Sequence, residues 1–95
     1  MGEKDEYCGQ VRAKLEELEN EIEIIQDRAE KARPAAKAEF EELFDMLCAK
    51  HDNVLDLVRQ LEEAEGESWW DMQPAVDGAL SELQHSTANV LFRMA

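Results

Sequence analysis

Strand-forming runs of Val, Thr and Tyr are nearly absent from this chain, and its aromatic residues number six in total: two Trp, one Tyr and three Phe. Glu, Ala, Leu, Lys and Arg dominate instead, an alphabet of helix formers that leaves no material for a sheet. No apolar stretch approaches the roughly 20 residues that a membrane helix needs. The opening MGEKDEY has no apolar region of the signal-peptide kind, so a cytoplasmic location is expected. Met1-Gly2 is followed by Glu6 where myristoylation wants Ser or Thr. The two cysteines, Cys8 and Cys48, form no CxxC pair, which excludes a disulfide framework and predicts reduced, small apolar side chains.

Positive charge is scarce too. Ten basic residues face 23 acidic ones, for a net charge of −13 that repels phosphate backbones and anionic lipid heads. Neither a nucleic acid nor a membrane is expected as a partner. The acids are spread along the chain, as on a solvated face, and do not collect in a tail. Missing as well are a Gly-rich phosphate loop and any nucleophile with a base at workable spacing, so neither catalysis nor a cofactor is expected.

What is present is a heptad pattern. Val11, Leu15, Leu18, Ile22, Ile25 and Ala29 alternate steps of four and three among Glu, Lys, Arg, Asn and Gln, the spacing of a coiled-coil seam. The stripe runs on through Ala32, Ala36 and Phe40 with one stutter, then through Leu43, Leu47, His51, Val54, Val58 and Leu61. Pro34 interrupts this stretch among residues that otherwise favour helix. A proline inside a helix costs about 3 kcal/mol, and it kinks a rod without necessarily ending it. Because the apolar phase continues across Pro34, the expectation is a single domain over residues 1–95: one long helix over about 3–64, bent near Pro34, with a shorter antiparallel helix over about 69–94. The alternative is a three-helix bundle that turns at Pro34, since proline also suits the first position of a new helix.

The second break lies in EAEGESWWDMQP. Gly66 suits a left-handed stop, and Ser68 with Asp71 has the spacing of a capping box. Trp69 is expected to lock this corner, leaving Trp70, about 100° around, as a binding hot spot. The returning helix presents Trp69, Val76, Leu80, Leu83, Thr87, Val90 and Met94, with a weak first part around Pro74 and Gly78. A hairpin of such unequal arms leaves Val11, Leu15, Leu18, Ile22 and Ile25 bare, so these residues are expected to form the interface of a homodimer.

Four residues have metal-ligand chemistry. Cys48 and His51 stand one turn apart, and Glu82 precedes His85 by three, but a closed structural site usually needs two such pairs together. A metal-binding bundle on Cys48, His51, Glu82 and His85 is therefore an alternative to the expectation of no metal. A third possibility is a three-helix module that captures a partner helix on Trp70 and the C-terminal Val90, Leu91 and Phe92.

The order of parts, KLEELENEIE, then AEKARPAAKAEFEEL, then LVRQLEEAEGESW and a shorter helix ending VLFRMA, resembles the small bacterial stress-response coiled-coil proteins. Gly66, Trp69 and Asp71 carry most of that resemblance. It implies a long helix, a corner and a returning helix in a non-catalytic, self-associating scaffold protein linked to stress. Pro34, Pro74 and Trp70 depart from the pattern.

Overall fold

The computed structural model describes residues 2–94, which form three antiparallel helices in a rod of 52 × 17 × 17 Å. They are α1 (Glu3–Glu30), α2 (Pro34–Glu63) and α3 (Ser68–Met94). The all-helical class agrees with the sequence pattern, but the two-helix hairpin is corrected: the chain reverses at Pro34.

The physical reason lies in Arg33. A residue before proline is pushed out of the helical region by the pyrrolidine ring, and Arg33 is extended at φ −63°, ψ 150°. Pro34 then occupies the first turn of α2, where its missing N–H costs nothing. The amides of Ala36 and Lys37 both donate to the Arg33 carbonyl at 2.9 Å, which starts the new helix. A turn of this kind avoids the mid-helix penalty and folds α1 back onto its own chain. The continuous apolar phase is compatible with either course, because a stripe that faces one way along a rod also faces inward along two antiparallel helices.

The core follows from that reversal. Val11, Leu15, Leu18, Ile22 and Ile25 are all buried, at 7% exposure or less, within a cluster shared with Leu47, Val54, Val58, Leu61, Val76, Leu83 and Val90. The stripe expected to be bare is covered by α2 and α3, so the case for a dimer built on it no longer holds. Each buried Leu or Ile contributes roughly 1.5–3 kcal/mol, and α1 is held mainly by such side chains. The one buried polar side chain reported among the described residues, Thr87, donates to the Leu83 carbonyl at 2.7 Å.

The α2–α3 corner is closed. Gly66 takes φ +62°, the left-handed conformation foreseen for it. Trp69 is buried at 7% exposure, against Tyr7 at a ring-centroid distance of 6.3 Å. Ser68 opens α3 as its first residue, with Glu67 before it, and its hydroxyl makes no cap hydrogen bond to Asp71. The capping box is thus replaced by backbone bonds, Ser68 N–H to Glu65 O and Trp70 N–H to Glu67 O. From α1, the Lys4 ammonium donates to the carbonyls of Glu62 and Ala64 at 2.9 and 2.6 Å, satisfying acceptors that the end of α2 leaves open. Pro74 and Gly78 are both accommodated within α3.

Leu83→Ala should lower stability by about 2–5 kcal/mol through lost burial and a cavity, whereas Phe92→Ala, at a site 84% exposed, should change it by about 0.5 kcal/mol or less. Thermal melts followed by circular dichroism check both. Equal effects would contradict the core described.

Candidate protein-interaction surfaces

The two ends of the rod differ in packing and in charge. At the end formed by the α1–α2 turn and the C-terminus of α3, the core thins out. No side chain from Pro34 to Met46 is fully buried: Phe40, Leu43 and Phe44 are half-buried, and Met46 is 37% exposed. The reason is local. α1 ends on Ala29 and the turn carries Ala32, small residues that reach less far than Leu or Ile, and the Phe rings near them gain only partial cover.

Three recesses are found there, one of about 290 Å³ between α1 and α2 being lined by Ala29, Phe44 and Lys37 with the acids Glu30, Glu41 and Asp45. A second, of about 370 Å³, runs between α2 and α3 and is lined by Leu43, Met46, Val90, Phe92 and the polar Ser86, Asn89 and Arg93. The third, of about 490 Å³, lies at the tip itself. Phe40, Met94, Ala32 and Ala36 make its floor, and Arg28, Lys31 and Arg33 make its rim. No acid lines it, in a chain where acids outnumber bases by more than two to one. Lys31 is paired with Asp27 at 3.1 Å and the nearby Arg93 with Glu39 at 3.6 Å. Arg28, Arg33 and Lys37 form no ion pair among the described residues.

The opposite end is acidic. Glu67 and Asp71 flank Trp70, whose indole is 49% exposed and stacks on Trp69 at a centroid distance of 4.4 Å. Trp70 is thus an exposed aromatic, as expected, while Trp69 locks the corner. Pro74 has no N–H for the Trp70 carbonyl, so this one helical hydrogen bond is missing from the start of α3. Nearby, Tyr7 donates its hydroxyl to the Asp77 carboxylate and to Gln73 O; burial, then Asp77, pushes its ionisation upward. Arg12 grips Glu62 with two N–H groups at 2.9 and 2.5 Å, and this hydrogen bonding holds the Glu62 carboxyl below its ordinary value.

Trp70 and Phe92 stand 22 residues apart on α3, roughly 33 Å along the helix, one at each end of the rod. The four residues with ligand chemistry are separated as well. His51 contacts Glu19 at 2.6 Å and Asp52 at 3.3 Å beside Cys48, in a groove between α1 and α2. Burial, then Asp52 and Asp45, pushes the Cys48 thiol upward. Glu82 is joined to Lys50, which holds its carboxyl below the usual range, and His85 is exposed. Among the described residues no group of three His, Cys, Asp or Glu side chains is placed to hold a metal ion. Both cysteines are free, Cys8 in the core and Cys48 half-buried.

No family model, curated protein or solved structure matches this chain. Among the described residues, no helix is long and apolar enough to cross a membrane.

The cationic rim was not foreseen as a site, although its signal lies in the sequence: residues 28–37 hold four of the ten bases and one acid. That run acquires meaning only once Pro34 turns the chain and brings Phe40 and Met94 beneath it.

The Glu62 interaction has a defined pH signature. Because its folded ionisation is depressed, its contribution is present above its ordinary value of 4.5 and is lost as pH falls through the lower folded value. Glu62→Gln should therefore cost no more than about 1 kcal/mol at pH 7, since the pair is exposed, and the difference from the parent chain should vanish in acid. Urea melts at pH 7 and below pH 3 read this out; a gap of constant size would contradict it.

Proposed function

We propose that the protein is a non-catalytic helical scaffold that associates with itself, using the open end of its bundle. The observation that carries this reading is the unfinished core at the α1–α2 end: half-buried Phe40, Leu43, Phe44 and Leu91, exposed Met46, and a Phe92 ring that is 84% in water. Apolar surface concentrated at one end of a small rod, rimmed by charge, is the usual mark of a protein contact. The bundle interior offers no polar pocket for chemistry, since its buried residues are nearly all aliphatic. A connection with stress belongs to the family resemblance of the heptads and the Gly66–Trp69 corner; no contact of the scaffold depends on it.

The recess between α2 and α3 supports a second reading, capture of a helix from another protein. Its wall of Leu43, Met46, Val90 and Phe92 is the kind of apolar surface on which an amphipathic helix lays its own apolar face.

Sedimentation velocity across about 10–500 µM decides between them, because folding-independent self-association obeys mass action. The expected outcome is an average mass that rises above the 10.9-kDa chain as concentration increases. A single 10.9-kDa species throughout would overturn self-association and leave the helix-capture reading.

A further inference from the structure

The ends of the rod are complementary to each other. At one, residues 27–39 and 91–94 hold five bases and three acids, two of these acids being the partners of Lys31 and Arg93; at the other, residues 3–10 and 60–74 hold eight acids and one base, Lys4. The cationic end is a recess with an apolar floor of Phe40, Met94 and Ala36, and the acidic end presents the half-exposed Trp70 beside Glu67 and Asp71. We propose that the cationic recess of one molecule receives the Trp70 corner of a second copy, head to tail. This rests on the self-association argued above and names its geometry.

Each part of the fit has a physical basis. Arg28 and Arg33, without ion pairs among the described residues, gain the carboxylates of Glu67 and Asp71. A guanidinium also stacks on an indole face better than an ammonium does, and the recess offers two guanidinium groups. The exposed side of the indole leaves water for Phe40 and Met94.

Net charge does not forbid the contact. At physiological ionic strength the screening length is about 8 Å, a small fraction of the 52 Å rod, so facing tips sense each other more than the distant acids. The area is small, however. A 17 × 17 Å cross-section gives roughly 300 Å² per partner, well under the usual interface, which makes the contact weaker than micromolar. It is also heterologous: each copy keeps one free recess and one free corner, so assembly continues into chains.

Complementation of two variants tests this. Trp70→Ala removes the corner's indole and leaves the recess; Arg28→Glu with Arg33→Glu reverses the recess and leaves the corner. All three positions are exposed, and melting curves check that both variants fold. In sedimentation velocity at several hundred micromolar, the parent chain should grow past dimer, and each variant alone should lose association by at least about tenfold in dissociation constant. Their equimolar mixture should form a dimer and stop there, because only one productive corner and one productive recess remain. If the variants associate as strongly as the parent, or the mixture gains nothing, the head-to-tail contact is overturned while self-association through another face stands. If the parent itself stays at the mass of one chain, both fall.

Discussion

Cover for the aliphatic edge of α1 is the requirement on which this structure depends. Val11, Leu15, Leu18, Ile22 and Ile25 lie on one side of a helix whose other side is almost wholly charged or polar, and they must be removed from water by something. In this fold α2 and α3 of the same chain do it. The reversal needs one extended residue, Arg33, in a conformation that the following proline already favours. Against that small local cost stands the burial of five large aliphatic side chains, each worth roughly 1.5–3 kcal/mol. An uninterrupted rod would have carried the proline penalty and still left α1 exposed.

The same requirement leaves the two ends unequal. At the α2–α3 corner, α1 supplies Tyr7 against Trp69 and Lys4 against the last carbonyls of α2, so apolar rings and backbone acceptors are both satisfied. At the α1–α2 turn the facing residues are alanines, and the Phe40 and Phe44 rings, with Leu43, stay only partly covered. The first end is a finished corner with one indole half-exposed. The second is a shallow basin with an arginine rim. Because the acids of EEAEGESWWD lie at the first and the bases of RAEKARPAAK at the second, packing asymmetry and charge asymmetry coincide. That coincidence gives a small rod a direction.

Much of the interior was legible residue by residue. Heptad spacing singled out Leu47, Val54, Val58 and Leu61 on α2 and Trp69, Val76, Leu83, Thr87 and Val90 on α3, all of them buried. Gly66 announced its left-handed turn, since few other residues adopt it at no steric cost. His51 falls on the seam yet remains half-buried beside Glu19, as a polar residue on an apolar stripe must if it is to keep a partner. The expected interface residues of α1 were correctly recognised as needing cover, but their cover came from within. The cationic recess escaped notice because Met94, which completes its floor, is more than fifty residues from Arg28, Arg33 and Phe40 in the chain.

Helical periodicity is a local property: each residue's position on its own helix follows from the count of residues before it, so element type and inward face were determined by the sequence alone. Where those inward faces meet is not local. Antiparallel packing within one chain and pairing between two chains bury the same stripe, and only the balance of turn geometry against long-range burial separates them. The tertiary structure decided that balance at Arg33 and Pro34, and with it which side chains remained at the surface for a partner.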